Sequence, residues 1–155
     1  MKIQRIYIDT SVIGGCLDPE FAVWSKGLLR DFQEDTFKLV VSTTVAAEVA
    51  AAYESIQVQY EDFLVLNPEI LEVTEEALVL AEVYQRRQIV TPKFYTDGLH
   101  IAIATIAEVD VVVSWNFKHI VNFNKIRLFN AVNLEMGYKP IQIYSPREVT
   151  TYGVD

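Results

Sequence analysis

The chain has 155 residues, of which 51% are hydrophobic and 22% are charged, so it is expected to fold as a single domain over residues 1–155 and not to be disordered. Its formal net charge of −8 argues against a general nucleic-acid binder, because phosphate binding depends on Lys and Arg. The charge is unevenly spread, however, and residues 83–155 carry eight basic and six acidic side chains that could still receive a polyanion.

The chain is expected to alternate short apolar strands with helices. Short runs of apolar and β-branched residues indicate strands, and apolar residues at three- and four-residue spacing indicate helices. The predicted strands are residues 6–8, 38–42, 111–115 and 141–145. The predicted helices are residues 18–32, 43–56, 74–87, 96–110, 124–137 and 145–148. This alternation predicts a mostly parallel sheet with helices on both faces, a three-layer α/β/α fold.

Several predicted helices begin at specific capping signals. Asp18 precedes a proline and a glutamate, an arrangement that is typical of a helix start. Thr43 or Thr44 can cap the helix after the second strand, and Thr74 caps a helix that begins with acids and ends with cations. Ser145 opens the sequence SPRE, which has the pattern of a capping box.

Polar side chains occur where the predicted strands end. Asp9 follows the first strand, and Glu48 lies early in the helix after the second strand, at the edge of its buried face. Asp97 lies at the start of a strongly apolar helix, and Asn116 comes just after the strand at 111–115. In a doubly wound sheet the carboxyl ends of the strands meet at one edge, where ligands bind. The sequence therefore predicts that these four side chains converge.

Three converging carboxylates predict a metal ion. Carboxylates that are packed together repel one another and resist ionisation when buried, so a divalent cation is the simplest relief. Oxygen ligands suit Mg²⁺ or Mn²⁺ better than zinc. Such an ion can activate water and neutralise charge on a phosphate, which predicts phosphodiester hydrolysis. Each carboxylate taken singly also has a structural alternative as a helix cap, a turn residue or a solvated side chain.

Three stretches of the sequence together resemble one known family. YIDTSVIGG resembles the opening strand with a first metal-binding aspartate, and VSTTVAAEV resembles the second strand and the helix that carries a glutamate. TDGLHIAIATIAEVDVVVSWNF resembles the aspartate-led helix, the next strand and the loop with a fourth polar ligand. In this order and spacing they resemble the PIN-domain family, the fold of the VapC-type toxin ribonucleases. The resemblance spans nearly the whole chain, since IQIYSPREV is similar to the family's last strand and closing turn.

The resemblance implies a Mg²⁺- or Mn²⁺-dependent endoribonuclease, the toxin of a toxin–antitoxin pair. It assigns catalytic roles to Asp9, Glu48, Asp97 and Asn116, and metal ligation to the first three. Asn116 stands where the family has a fourth acid, and its neutral amide can bind a metal only through the carbonyl oxygen. Ser114 stands where the family has a hydroxyl residue. A small antitoxin protein and a homodimer are further implications of the resemblance.

The residues after the third predicted strand are candidates for substrate binding. Ser114, Lys118 and His119 are predicted to contact RNA, although an ordinary surface loop explains Lys118 and His119 equally well. Trp115 and Phe117 have the chemistry to stack on a base. Aromatic residues beside a β-branched strand are more often part of the core, which is the preferred interpretation of both.

Two other functions compete with the nuclease hypothesis. The amide at Asn116 and the acidic composition favour a PIN-like module that binds RNA or protein without turnover. A receiver- or phosphatase-like domain that uses Asp9 is disfavoured, because the haloacid-dehalogenase pattern needs a second aspartate where Ser11 stands.

Cys16 and His100 are expected to be core residues. Cys16 is the only cysteine, so no internal disulfide can form, which suits a reducing cytoplasm. His100 lies on an apolar helix and is interpreted as a packed histidine with one hydrogen-bonded nitrogen. The first residues do not resemble a signal peptide, and no apolar run approaches the ~20 residues of a membrane helix. A cytoplasmic protein with no membrane association is therefore predicted.

Overall fold

The computed structural model describes residues 2–153, which contain five strands and eight α-helices. The strands are β1 (Arg5–Ile8), β2 (Lys38–Ser42), β3 (Glu69–Leu71), β4 (Val111–Val113) and β5 (Gln142–Tyr144). The helices are α1 (Thr10–Gly15), α2 (Ala22–Gln33), α3 (Thr43–Ala50), α4 (Glu54–Leu64), α5 (Glu75–Arg86), α6 (Tyr95–Ile106), α7 (Phe123–Glu135) and α8 (Pro146–Val149), with a 3₁₀ turn at Pro92–Phe94. None of the helices in this part of the chain combines the length and apolar character of a membrane span.

The five strands form one parallel sheet in the order β3-β2-β1-β4-β5. The first strand therefore lies at the centre, paired on one side with β2 and on the other with β4. Val111–Val113 is buried along its whole length, as expected of a β-branched strand covered on both faces. The parallel sheet of the predicted α/β/α fold is confirmed. Because β1, β2 and β4 are neighbours, the residues that follow them meet at one edge of the sheet.

The structure differs from the prediction at the first helix after β1. The segment after Asp9 is itself helical (α1), although its two glycines, Gly14 and Gly15, gave no helical signal. The side chain of Asp18 accepts from the backbone N–H of Glu20 at 2.9 Å and so closes a turn. The predicted helix therefore starts later than expected, at α2.

The helix predicted over residues 43–56 is two helices, α3 and α4. Ser42 caps α3, because its Oγ accepts from the backbone N–H of Val45 at 3.2 Å, and neither of the two threonines that were predicted to cap it does so. The chain breaks after α3, where the side chain of Gln57 donates to the carbonyls of Ala50 and Ala52. These bonds satisfy acceptors that a helix end leaves free, so the break needs neither glycine nor proline.

Strand β3 was not predicted from the sequence. It has three residues, lies at the edge of the sheet and is partly exposed, so its pattern of apolar residues is weak. Asn67, just before it, has a left-handed backbone with φ of 52°, which turns the chain ahead of Pro68. The prediction of a cap at Thr74 is confirmed, since its side chain accepts from the backbone N–H of Ala77.

Cys16 and Trp115, two residues that could have had a chemical role, are part of the core. Cys16 is 2% exposed, and burial raises the pKa of its thiol to about 12, so it is an unreactive packing residue as predicted. Trp115 is also buried, stacks on Phe21 with 4.1 Å between ring centroids, and donates from Nε1 to Ser25. The preference for a core role of Trp115 is confirmed.

Asp31 fastens residues 150–151 onto α2. Its Oδ2 accepts from the Thr150 hydroxyl at 2.7 Å and from the Thr151 backbone N–H at 3.0 Å, while Oδ1 accepts from the Thr151 hydroxyl. Hydrogen bonds to a buried carboxylate are among the stronger ones in proteins.

Asp31→Asn is expected to lower the free energy of unfolding by about 1.5–3 kcal/mol, since a neutral amide replaces the charged acceptor of three hydrogen bonds. Urea unfolding measures the loss. Asp35→Asn, at an exposed position on the adjacent turn, is the matched control and should stay within about 0.5 kcal/mol of the wild type. Equal stability of the two variants would show that the contacts of Asp31 contribute nothing.

Candidate active site

Three carboxylates converge around His100 at the carboxyl edge of the sheet. Asp9 directly follows β1, Glu48 lies on α3 after β2, and Asp97 lies in the first turn of α6. His100 is 2% exposed, and the negative charges of all three carboxylates act on it. The convergence that was predicted from the strand ends is present, with a histidine at its centre.

Asp9 points into the site and does not cap a helix. It occupies the N-cap position of α1, yet its side chain makes no capping hydrogen bond. Instead, Oδ1 accepts from the Ser11 hydroxyl at 2.5 Å and Oδ2 accepts from the Ser114 hydroxyl at 2.7 Å. Burial raises the pKa of Asp9, although His100 and the two hydroxyls favour its ionised form. The structural alternative of a helix cap is therefore wrong for Asp9.

Glu48 is half-buried at the edge of the site, as predicted. Its Oε1 accepts from the Thr10 hydroxyl at 2.9 Å and lies 2.6 Å from Nε2 of His100. Burial alone would raise the pKa of Glu48, but the hydrogen bond and charge of His100, with the bond from Thr10, hold it below its ordinary value. Glu48 is thus the carboxylate of the site that most readily stays ionised.

Asp97 lies close enough to Asp9 for the two charges to repel. Burial is the main reason why the pKa of Asp97 is raised, and the charge of Asp9 raises it further. His100, His119 and the side chain of Asn116 act in the opposite direction and favour the ionised carboxylate. Asp97 is not the N-cap of its helix, so the capping alternative is wrong here as well.

Asn116 stabilises the loop that follows β4. Its Oδ1 accepts from the backbone N–H of His119 at 2.9 Å, which closes the turn that begins at Asn116. The carbonyl oxygen through which this amide was predicted to bind a metal is thus already engaged. Asn116 also acts on Asp97, because a hydrogen bond from its side chain opposes the rise that burial causes in the pKa of that carboxyl and so favours the ionised form.

His119 and Lys118 lie on the same loop. The ring of His119 stacks on Phe94 with 3.8 Å between centroids, and its Nε2 is a buried atom without a hydrogen-bond partner among the described residues. Lys118 is exposed beside it, and Phe117 is 50% exposed. The structure therefore leaves a cation and an aromatic face open to solvent next to the carboxylates, whereas the core interpretation of Phe117 is wrong.

Ser114 needs a different role from the one predicted. It is fully buried, donates to Asp9 and accepts from the backbone N–H of Asn116 at 2.9 Å. A side chain in this position cannot reach RNA, so direct substrate binding by Ser114 is wrong. Ser114 instead holds Asp9 in place together with Ser11, which the sequence had not singled out for this purpose.

His100 also differs from its prediction. Both of its ring nitrogens are engaged, since Nε2 contacts Glu48 and Nδ1 lies 2.6 Å from the Tyr7 hydroxyl. Burial alone would lower the pKa of His100, but the hydrogen bond with Glu48 and the three negative charges hold it above its ordinary value. The spacing of Asp97 and His100 could have indicated that His100 belongs to the site, because residues three positions apart share a helix face.

The donor set is of the kind that hard divalent cations prefer. Among residues 2–153, no group of three or more His, Cys, Asp or Glu side chains is arranged to hold a metal ion. Zinc sites need such a closed set, whereas Mg²⁺ is usually bound by one or two carboxylates and keeps several waters. Asp9 and Asp97, two mutually repelling oxygen donors, fit the second pattern.

The chain is similar to solved structures, while no family model and no curated protein matches it. VapBC2 from Rickettsia felis, bound to a DNA fragment from the promoter, aligns with a TM-score of 0.58 and 11% identity over 92% of this chain and 98% of that one. FitAcB from Neisseria gonorrhoeae aligns with a TM-score of 0.58 and 18% identity over 91% and 97%. A toxin–antitoxin complex from Klebsiella pneumoniae gives 0.55 and 12% over 74% and 88%.

The chain has a PIN-like fold. The match covers more than nine-tenths of this chain in two of the three comparisons, so it extends over nearly the whole fold. The predicted PIN-like α/β/α architecture is confirmed. A shared fold does not fix a function, and at 11–18% identity the chemistry has to be argued from the side chains at that edge.

Proposed function

We propose that this PIN-like protein is a Mg²⁺- or Mn²⁺-dependent endoribonuclease and the toxin of a toxin–antitoxin pair. The single observation that carries the proposal is the pair of carboxylates at the carboxyl edge of the sheet, the buried Asp9 and the partly buried Asp97, whose pKa is raised by burial and further by the charge of Asp9. Such a pair costs free energy in the ionised state unless a cation offsets it. The toxin–antitoxin complexes among the structures of similar fold support the same conclusion.

Asp9 and Asp97 would hold the ion, and Glu48 would ligate it or orient a water beside it. When bound, Mg²⁺ or Mn²⁺ would supply a Lewis acid that activates water and offsets charge on the phosphate. Ser11 and Ser114 fix both oxygens of Asp9, so its orientation is set before the ion arrives. Water is the attacking group, and no covalent bond forms between RNA and protein.

The loop after β4 would contact the RNA. Lys118 would pair with a backbone phosphate, His119 would steady the scissile strand, and Phe117 would stack on an unpaired base. Single-stranded RNA fits this arrangement, because its bases are free to stack on an exposed ring. The excess of basic side chains in residues 83–155 favours the same approach of the polyanion.

A protein antitoxin would mask this edge until the toxin is released, and the proposed location of both is the cytoplasm. The proposal extends to a homodimer, as the sequence resemblance implies. Expression of the chain without a partner is expected to slow growth of the host cell, and Asp9→Asn is expected to relieve the arrest at equal protein level.

Calorimetric titration with Mn²⁺ and an RNA cleavage assay test the proposal. The wild type and the exposed control Asp35→Asn should bind Mn²⁺ alike, whereas Asp9→Asn and Asp97→Asn should lose at least about tenfold in affinity. Wild-type cleavage of single-stranded RNA should stop in EDTA and return with Mg²⁺. Unchanged Mn²⁺ affinity in both site variants would overturn the metal site.

A binding module without turnover is the second candidate, and the engaged carbonyl of Asn116 favours it. Intact Mn²⁺ binding with no cleavage of RNA, in a correctly folded sample, would establish this alternative.

Asn116→Asp is expected to lower the stability of the metal-free protein and to raise its affinity for metal. The carboxylate keeps an oxygen for the His119 backbone but adds a charge beside Asp97. Without metal the melting temperature should fall by several degrees, and the affinity for Mn²⁺ should rise roughly tenfold with the added ligand charge. Asn124→Asp, which adds the same charge at an exposed position on α7, should change neither quantity in this way. A fall in Mn²⁺ affinity would place residue 116 outside the metal's surroundings.

A further inference from the structure

Glu48 is partly exposed to solvent and is nevertheless held by protein groups. Its side chain is 37% exposed, so water could satisfy it. Both of its hydrogen bonds, from Thr10 and from His100, fall on Oε1. Among the described residues, Oε2 makes no hydrogen bond and is the oxygen left for a ligand.

His100 reaches Glu48 from the interior of the protein. Because a carboxylate can only accept, the ring must carry its proton on Nε2, which donates to Oε1 at 2.6 Å. With 2% exposure the ring is shielded from solvent and cannot touch RNA. Of the three carboxylates, His100 forms a hydrogen bond only with Glu48, and it acts on Asp9 and Asp97 through its charge.

The other side of the ring is anchored in the centre of the sheet. Nδ1 lies 2.6 Å from the hydroxyl of Tyr7, which lies 2.7 Å from the hydroxyl of Ser42. Tyr7 belongs to the central strand β1, Ser42 ends β2, and both are fully buried. A hydroxyl can donate or accept, so Tyr7 holds Nδ1 in either charge state of the ring.

We propose that His100 is a positioning residue, which Tyr7 and Ser42 hold rigid so that Glu48 presents Oε2 to the reaction in one orientation. A free glutamate side chain loses rotamer entropy when it is ordered, and the contact with His100 fixes the side chain of Glu48 in advance. Residues that orient the groups around a metal typically change activity or metal affinity by about 10- to 100-fold when they are removed. The inference rests on the proposed function and deepens it.

Kinetics of RNA cleavage by His100→Leu, His100→Gln and Tyr7→Phe test the proposal. His100→Leu should lower kcat by about 10- to 100-fold and change the KM for RNA less than about twofold, since the ring does not touch RNA. His100→Gln keeps an N–H that can donate to Glu48 and should recover most of kcat. Tyr7→Phe should cause a smaller loss in the wild type and no further loss when it is combined with His100→Leu.

Tyr84→Phe is the matched control. Tyr84 is a buried tyrosine whose hydroxyl donates to Asn133, away from the carboxylates. It should reduce thermal stability about as much as Tyr7→Phe and leave kcat unchanged. If His100→Leu is folded and its kcat matches that of Tyr84→Phe, or if His100→Gln gives no recovery, the positioning role is wrong.

NMR of the metal-free protein separates this inference from the nuclease proposal. Scalar couplings along the Glu48 side chain should report one rotamer in the wild type, His100→Gln and Tyr84→Phe, but averaged rotamers in His100→Leu. If the wild type neither binds Mn²⁺ nor cleaves RNA, the proposed function fails while this measurement still decides the positioning. A single Glu48 rotamer in His100→Leu would overturn it.

Discussion

Asp9→Asn is expected to give a protein that is more stable without metal and inactive with it. Burial raises the pKa of Asp9, so its ionised form at neutral pH is unfavourable in the folded state. The amide removes that charge and can still bond to the hydroxyls of Ser11 and Ser114. Activity should fall by more than about a hundredfold, because even groups that only support metal ligands often cost 10- to 100-fold.

The stability of the wild type should decrease as the pH rises, because the pKa of Asp9 is raised on folding. A carboxyl whose pKa is raised on folding adds stability below its unfolded-state pKa of about 3.9, and this stability is lost as the pH rises through the folded-state pKa. As the pH rises through this range the wild type loses the contribution, whereas Asp9→Asn, which has no carboxyl at this position, does not. Each kcal/mol gained should raise the melting temperature by roughly 2–4 °C in a chain of this size.

Calorimetric melting in EDTA and in MgCl₂ measures both parts of the prediction. Mg²⁺ should stabilise the wild type and leave Asp9→Asn unchanged, so the advantage of the variant should shrink or reverse as metal is added. Asp35→Asn should follow the wild type in both buffers. A variant that is less stable than the wild type in EDTA would show that His100 and the hydroxyls already compensate the charge of Asp9.

Gly15→Ala is expected to destabilise the fold and to damage the site together. A Cβ at residue 15 would lie 2.6 Å from Nε1 of Trp115, and the stacking of that ring on Phe21 prevents it from moving aside. Forcing an atom into a packed core costs about 1–3 kcal/mol. The backbone N–H of Trp115 donates to the Ser11 hydroxyl, which itself donates to Asp9, so a shift of Trp115 should also weaken Mn²⁺ binding.

Gly14→Ala is the matched control for this substitution. It lies on the same short helix, but its added Cβ would meet only the tip of Ile56 at 3.4 Å, an ordinary contact. It should be neutral or stabilise the protein by up to about 1 kcal/mol, since alanine favours a helix over glycine. Similar melting temperatures for the two alanine variants would mean that the ring of Trp115 moves aside at little cost in free energy.

The elements that sequence patterns predicted are those with strong local signals. The β-branched run at 111–113 and the cap at Thr74 depend on neighbouring residues and were found. The break between α3 and α4 depends on a side chain of Gln57 reaching back to carbonyls, which no local pattern reveals. Strand β3 exists because β2 offers it an edge, so its three residues alone could not predict it.

The sequence predicted which strand ends meet at the candidate site, but not how the side chains contact one another there. The rule that parallel strands end at one edge placed Asp9, Glu48 and Asp97 together. It could not show that a histidine links them, because that contact depends on the packing of α6 against α3. The spacing of three between Asp97 and His100, and the alternation that relates Tyr7 to Asp9, were the available signals.

The central place of β1 in the sheet affects when the protein can become active. Residues 5–9 leave the ribosome about a hundred residues before β4 and Ser114, which completes the support of Asp9. Pairing across such a separation requires closing a long loop, so it is delayed until most of the chain has been synthesised. Under the proposed function, a nascent chain that has not yet reached β4 would lack the support of Asp9 by Ser114 and would therefore not cleave RNA.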